Sequence, residues 1–192
     1  MEPASIRYKN PGAMWGNALA RKWGAEPAAV VLHDGLGQGN NIAVFPDFVH
    51  GAAAQFDLWR SHYCGLTLQE AITKWSGGNS STAYMNHLCS HTGLTPSSPI
   101  MPSVLSGPTG LKLMKAQAQW EAGRPYPMSD EDWAKAQKMV FESAKGTLGD
   151  KTAAPVPIPS SPSTATQPKL PQSQPQPSLL QLIINFILSL FK

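Results

Sequence analysis

The sequence predicts a mainly α-helical domain with one small β-hairpin, followed by a proline-rich linker and a short hydrophobic helix. Apolar residues recur at helical spacing in five stretches of the first 150 residues. Residues that start or stop helices flank these stretches. The composition changes abruptly after Asp150, and a length of 192 residues suits one domain with appendages.

Two short β-strands are predicted after an irregular segment that covers residues 1–27. The stretches "AVVLH" (29–33) and "NIAVF" (41–45) are apolar and rich in β-branched residues. They enclose the glycine-rich "DGLGQGN", in which Asp-Gly favours a turn. The pattern therefore predicts a hairpin with a long tip.

Five helices are predicted after the hairpin, each from an apolar face and a boundary signal. Asp47, the Thr67–Glu70 capping box and Ser129 are predicted N-caps. Gly93 and Gly123 are predicted stops. The stretch "TPSSPIMPS" (95–103) is predicted as a proline-rich connection. The predicted helices cover residues 48–64, 68–75, 82–92, 108–121 and 130–145.

The linker and the hydrophobic segment are distinguished by composition. Residues 152–178 contain eight prolines among Ser, Thr and Gln, and no acidic residue. Such a stretch cannot bury enough apolar surface to fold, so it is predicted to be disordered and extended. We accordingly divide the chain into a domain (1–150), a linker (151–178) and a C-terminal segment (179–192).

The C-terminal segment is predicted to associate with a membrane. Ten of its fourteen residues are strongly apolar. As a helix it is about 21 Å long, which is shorter than the roughly 30 Å hydrocarbon core. Its polar residues form one narrow seam, which suits a helix lying in the membrane interface or helices that self-associate. The alternative is a tail that packs onto its own domain. The seam contains Ser178, Gln181, Asn185, Ser189 and Lys192.

The charge pattern argues against several functions. Residues 1–150 are formally neutral, and the net charge of +3 comes from Lys151, Lys169 and Lys192. Without a basic stripe, nucleic-acid binding is not predicted. The opening "MEPASIRYKNPG" lacks the apolar region of a secretory signal peptide. His87 and His91 are four residues apart but have no third ligand nearby in the sequence, so we predict no metal site and no cofactor.

Glu121 is the candidate catalytic residue. It shares a helix face with Leu111, Met114 and Ala118, at steps of three, four and three residues. It also lies in the last helical turn, where the helix dipole opposes a negative charge. Both placements raise the pKa of a carboxyl group, and the aromatic Trp120 beside it would exclude water. A glutamate that is protonated near neutral pH is what a glycosidic general acid requires. The alternative is a partly exposed glutamate whose stem packs against the domain.

An ordered set of motifs resembles a phage and prophage protein family. The pieces are "IRYKNPGAMWG", "GNNIAVFPDFVHGAAAQFDLWRSHY", "LTLQEAITKWSGGNSSTAYMNHLCSHTG" and "WEAGRPYP", with R-x-x-N-P-G, T-x-x-x-A-I-x-x-W and E-x-G patterns, over about residues 6–127. Members of this family are described as virion structural proteins or as lysozyme-like and lytic-transglycosylase-like proteins. The resemblance implies a lysozyme-like fold. Because the hairpin precedes the catalytic helix here, that fold would be circularly permuted.

The resemblance also implies roles for two acidic residues. Glu121 would be the general acid, and Asp34, at the hairpin tip, would be its partner acid. As part of an Asp-Gly pair, Asp34 has an ordinary role in a turn too, and a lytic transglycosylase needs no partner acid. Asn10 would bind a substrate acetamide or, alternatively, form the tight "NPG" turn. The candidate substrate-binding residues are Arg7, Tyr8, Asn10, Trp120 and Tyr126.

The sequence therefore predicts a phage-encoded glycosidase, either a muramidase or a lytic transglycosylase, that cleaves the glycan strands of peptidoglycan. It would act in the virion or in the host cell envelope, held on bacterial membrane lipids by residues 179–192. One alternative is a non-catalytic virion structural or cell-wall-binding protein. Another is a membrane-acting lysis protein whose activity lies in the tail. The oligomeric state is not indicated.

Overall fold

Eight α-helices and a minimal β-hairpin make up the part of the chain that the computed structural model describes. The described residues are 2–27, 30–31, 41–76 and 82–142, with the backbone alone for 30 and 31. The linker and the C-terminal segment lie outside these ranges, and within them no helix has the length and apolar character needed to cross a membrane. The elements are α1 Ala4–Arg7, α2 Ala18–Lys22, β1 Val30–Val31, β2 Asn41–Ile42, α3 Phe48–His62, α4 Leu68–Trp75, α5 Thr82–Thr92, α6 Pro102–Leu105, α7 Pro108–Ala122 and α8 Asp130–Phe141.

The boundary signals of the longer helices are confirmed. The Asp47 and Ser129 side chains accept hydrogen bonds from the first turns of α3 and α8. Thr67 and Glu70 form both bonds of the capping box at the start of α4. Gly123 ends α7 in the left-handed conformation, with φ of 64°. The end predicted for the last helix lies beyond the described residues, in which α8 extends to Phe141.

Three short helices were not predicted. α1 and α2 lie in the segment 1–27 that was predicted to be irregular, and α6 begins at the end of the predicted proline-rich connection. These helices contain only four or five residues, so no apolar period can develop along them. Local capping defines them instead: Asn17 caps α2, and Pro102 occupies the first position of α6.

The hairpin is present, and its second strand is shorter than predicted. β1 and β2 pair antiparallel over two residues each, with Val30 opposite Ile42. The predicted strand 41–45 is wrong beyond Ile42, because the chain there pairs with the N-terminal segment instead. The amide of Ala43 donates to the Met14 carbonyl at 3.0 Å, and that of Phe45 donates to the Tyr8 carbonyl at 3.1 Å. The hairpin tip lies outside the described residues.

The hydrophobic core is organised around α3, which contacts α2, α6, α7 and α8. The fully buried rings of Phe56 and Trp59 extend from α3 into this core, and Trp133 of α8 joins them. α5 packs along α7. α7, which carries Trp120 and Glu121, is therefore held by one continuous apolar cluster.

The N-terminal segment is fixed against α3 and α4 by close backbone contacts. A Cβ atom at Gly51 would collide with the carbonyl oxygen of Lys9, so the absence of a side chain lets this segment approach α3. Lys9 and Ala13 both have positive φ, of 54° and 46°, which places strained backbone on either side of the NPG turn. A Cβ at Gly12 would lie 3.1 Å from the Trp75 ring. The turn therefore lies next to α4.

Candidate active site

Glu121 is partly exposed, in the last turn of α7. On its face of the helix, Met114 and Ala118 are fully buried, as predicted, whereas Leu111 is only partly buried. The site is therefore an acid at the edge of the core. The left-handed Gly123 ends the helix directly after it.

Two side chains from other helices donate hydrogen bonds to one oxygen of Glu121. The indole Nε1 of Trp75, at the end of α4, donates to Oε1 at 3.3 Å. The hydroxyl of Tyr84, on α5, donates to the same Oε1 at 3.2 Å. The other oxygen, Oε2, accepts no hydrogen bond from the described residues. The carboxyl group is thus anchored through Oε1.

Burial of the carboxyl group raises the pKa of Glu121 to about 7, and the hydrogen bonds from Trp75 and Tyr84 offset only part of this effect. The residue as a whole is thus partly exposed, while its carboxyl group is desolvated. Burial also raises the pKa of Tyr84 well above 10, and the negative charge of Glu121 raises it further. Tyr84 therefore remains a neutral donor near neutral pH.

A row of rings extends from the acid along the α5–α7 contact. The Trp120 ring stacks on Tyr84, with centroids 4.8 Å apart and planes at 4°. His87 lies 5.4 Å from Trp120, and His91 lies 4.2 Å from His87. Trp120 and His87 are partly exposed, so this row offers aromatic surface beside Glu121.

The two histidines are held by backbone carbonyls. His87 Nε2 lies 2.9 Å from the Ala116 oxygen, and His91 Nδ1 lies 2.8 Å from the His87 oxygen. A carbonyl only accepts, so each of these nitrogens carries a proton. No cluster of three or more potential metal ligands occurs among the described residues.

Tyr126 connects the loop after α7 to the N-terminal segment. Its hydroxyl donates to the Ser5 carbonyl at 2.8 Å, and its ring meets Phe48 edge to face at 5.6 Å. In the same region Arg124 pairs with Glu2 at 3.5 Å. These contacts bring α1 to the helix end that carries the acid. Tyr126 thus has a clear structural role there.

The candidates in the NPG motif have different environments. Asn10 is fully buried, and its side-chain amide bonds to Met14 and Ala43 of the protein itself. The observed role of Asn10 is therefore to hold the tight turn, and its side-chain amide is occupied by bonds within the protein. Arg7 is exposed, donates to the Glu2 carbonyl and lies over the Tyr8 ring. Neither contact joins Arg7 to Glu121.

Asp34 lies outside the described residues, so the structure does not place it relative to Glu121. Trp75 and Tyr84, which donate to the acid, were not among the site residues predicted from the sequence. Their residue types gave one indication of this role, because a buried indole N–H or phenol O–H usually has a polar hydrogen-bond partner.

Two surface depressions formed by described residues lie along α8 and between α6 and α8, and neither includes Glu121. The geometry at Glu121, and not the presence of a deep pocket, is what identifies it as a candidate site. In comparisons with protein-family models and with curated proteins, this chain finds no match.

Glu121 should make the stability of the domain depend on pH. Its pKa of about 7 in the folded protein exceeds its ordinary value of 4.5, so the folded state holds the proton more tightly than the unfolded chain. This protonation therefore favours folding below pH 7, and the advantage disappears as pH rises through about 7. Relative to Glu121→Gln, the wild type should lose about 2–3 kcal/mol between pH 4 and pH 8.

Urea unfolding of both proteins at several pH values measures this difference. Glu26→Gln, at an exposed carboxylate, is the matched control and should follow the wild type. Parallel stability curves for wild type and Glu121→Gln would contradict a raised pKa at this residue.

Proposed function

We propose that the protein is a peptidoglycan-degrading glycosidase of the lysozyme-like type, with Glu121 as the general acid. The observation that carries this proposal is a partly exposed glutamate whose pKa is raised to about 7 and whose Oε2 is not engaged by the described residues. A glycosidic general acid must be protonated near neutral pH and must present that proton to the substrate.

The chemistry follows from this placement. Protonated Glu121 transfers its proton to the oxygen between two amino sugars, and the bond from that oxygen to the anomeric carbon breaks. The developing positive charge on the sugar ring is then captured by water or by a hydroxyl of the same sugar. The proton that this nucleophile releases goes to the Glu121 carboxylate or, in a hydrolase that uses Asp34 as base, to Asp34. Trp75 and Tyr84 stabilise the carboxylate between the two steps through their hydrogen bonds to Oε1.

Trp120 is the best-supported substrate contact of this proposal. It is partly exposed, adjacent in sequence to Glu121 and fixed by stacking on Tyr84. An aromatic face beside the acid would pack against the C–H face of a sugar ring. Arg7 and Tyr8 remain proposed contacts at the N-terminal side, where α1 reaches the end of α7.

The motif resemblance supports the same reading of the fold. A helical domain in which a small hairpin precedes the acid-bearing helix is compatible with a circularly permuted lysozyme-like arrangement. In this proposal the protein is phage-encoded and acts in the virion or the host envelope. Residues 179–192 would hold it on bacterial membrane lipids, with the linker giving the domain reach towards the glycan strands.

The role of Asp34 distinguishes the two forms of the proposed reaction. In a hydrolase that uses Asp34 as base or nucleophile, Asp34→Asn should lose most of the turnover, because activation of water or formation of the sugar ester requires a carboxylate. In a transglycosylase the sugar hydroxyl attacks, and Asp34→Asn should retain most of the activity.

Mass spectrometry of the released fragments provides an independent readout. Anhydro-sugar ends are expected from a transglycosylase, and reducing ends from a hydrolase. Release of no soluble fragment from purified peptidoglycan by the full-length protein would contradict the proposed function itself.

A further inference from the structure

The NPG turn (residues 10–12) lies beside one of the two donors to the candidate acid. A Cβ atom at the buried Gly12 would lie 3.1 Å from Cη2 and 3.4 Å from Cζ2 of Trp75. The Gly12 backbone therefore lies directly against this edge of the indole ring. In an indole, a single carbon separates Cζ2 from Nε1, the atom that donates to Glu121 Oε1 at 3.3 Å. The turn thus contacts the ring next to its donor atom.

The NPG turn has little freedom to move. The buried Asn10 side chain donates to the Met14 and Ala43 carbonyls at 2.8 and 3.0 Å. It also accepts a hydrogen bond from the Met14 amide at 3.0 Å. Just before the turn, the Lys9 carbonyl occupies the space that a Cβ of Gly51 would fill. A buried amide with three hydrogen bonds holds one conformation, so the turn is a fixed surface for the ring beside it.

The Trp75 ring is also held by two rings from the region of α3. It stacks on Trp59, with centroids 6.2 Å apart and planes at 27°. The Tyr63 ring lies 5.7 Å from it between centroids. Trp59 is fully buried in the core. The indole is therefore confined by these rings and by the NPG turn, and its N–H is directed at the acid.

We infer that the NPG turn is a positioning element for the proposed acid, because the absence of a side chain at Gly12 lets the turn hold the Trp75 indole where its N–H meets Oε1 of Glu121. This inference rests on the proposed function of Glu121. It gives the NPG motif a role in the site that requires no contact with the substrate.

An alanine at position 12 would act through space alone. Gly12 is not among the glycines with positive φ, so its backbone suits a residue with a side chain. The added methyl would meet the Trp75 ring at 3.1 Å and Gln55 Cγ at 3.2 Å, closer than the optimal carbon separation of about 3.5–4.0 Å. Gln55 is fully buried, whereas Trp75 is only partly buried. The ring is therefore the neighbour that shifts.

A small shift is enough to weaken the bond to Glu121. Its length of 3.3 Å already exceeds the usual range of about 2.7–3.2 Å. The indole N–H stabilises the ionised carboxylate and so opposes the effect of burial on the pKa of Glu121. Weakening this bond should therefore raise the proton affinity of Glu121.

The titratable neighbours of this contact keep their identity when Gly12 is replaced. Tyr84 donates to the same oxygen of Glu121. Tyr63 lies beside Trp75, with the Lys74 ammonium 5.2 Å from its ring centroid. A change in the titration of Glu121 that depends on the Trp75 indole therefore reports on the positioning contact.

The test is a double-mutant cycle on the full-length protein, read by NMR titration of the Glu121 carboxyl and of the Trp75 indole N–H. In the wild type the indole resonance should shift as Glu121 ionises. Trp75→Phe should raise the proton affinity of Glu121 about tenfold, and Gly12→Ala about threefold. Gly12→Ala should also reduce the pH-dependent shift of the indole resonance. In the Trp75→Phe background it should have no further effect, because phenylalanine lacks both the indole edge and the donor.

Gly107→Ala is the matched control. A Cβ at Gly107 would lie 3.2 Å from the Ser103 carbonyl oxygen, so the crowding is comparable, but Gly107 lies at the opposite end of α7 from Glu121. This substitution should leave the titration of Glu121 unchanged. If Gly12→Ala does not fold, Pro11→Ala keeps the glycine, frees the φ angle that proline fixes and enters the same cycle with a smaller expected shift. An equal shift with and without the Trp75 indole, or no shift in either background, would overturn the inference.

The titrations separate this inference from the proposed function because they require no substrate. A coupled titration together with inactivity on peptidoglycan would leave the positioning contact in place and remove the enzyme. Cleavage of peptidoglycan without the coupling would keep the enzyme and overturn the inference.

Discussion

Glu121→Gln is expected to abolish peptidoglycan cleavage by the full-length protein while leaving the fold intact. Glutamine has nearly the same shape and still accepts hydrogen bonds from Trp75 and Tyr84 on its oxygen. Only the transferable proton is lost. Because general acid catalysis contributes about 10²–10⁴-fold to the rate, the loss of activity should be of this order. Turbidity of a suspension of purified peptidoglycan measures the rate, and thermal unfolding checks the fold.

The control for this experiment is Glu26→Gln, which removes an exposed carboxylate and should keep wild-type activity. Full activity in a folded Glu121→Gln variant would show that the acid is structural. That result would favour the alternative of a non-catalytic virion structural or cell-wall-binding protein.

Truncation after Asp150 is expected to remove membrane binding while preserving peptidoglycan cleavage. The C-terminal segment has ten large apolar side chains, and burial of even half of them at roughly 1.5–3 kcal/mol each is a strong driving force. The predicted linker would leave the domain free, since random-coil scaling would separate its ends by about 30 Å. The full-length protein should co-sediment with anionic liposomes, and the truncated protein should remain in the supernatant.

A full-length variant tests the same segment without shortening the chain. Ile183, Ile184 and Ile187 replaced together by serine should behave like the truncated protein in the liposome assay. The three substitutions keep length and charge, so only the apolar surface changes. Equal sedimentation of full-length and truncated protein would show that the anchor lies elsewhere.

The parts of the fold that could be predicted are those encoded within a few residues of sequence. The capping box at Thr67 and the left-handed Gly123 act within one helical turn, and both were recognised. The short helices α1, α2 and α6 could not be predicted, because four or five residues are too few to show the helical period of apolar residues. The end of β2 could not be predicted for a different reason. The amide of Ala43 bonds to Met14, which lies 29 residues earlier, and no local sequence pattern reveals this contact.

The candidate site shows the same division. A raised pKa for Glu121 could be predicted from its position on the apolar face at the end of a helix. Its donors could not, because Trp75 and Tyr84 lie 46 and 37 residues away and reach it only through the packing of α4 and α5. Asn10 is the opposite case. Its side chain is of a type that could bind a substrate, but in the folded protein it donates hydrogen bonds to the Met14 and Ala43 carbonyls.

The contact between Tyr126 and Ser5 has a consequence for the chain while it is being synthesised. These residues are separated by 121 positions. At ribosomal rates of about 5–20 residues per second, Tyr126 is therefore synthesised on the order of ten seconds after Ser5. During that interval α1 has no α7 to pack against, and the surroundings of Glu121 do not exist. The environment of Glu121 therefore cannot form until nearly the whole helical body has left the ribosome.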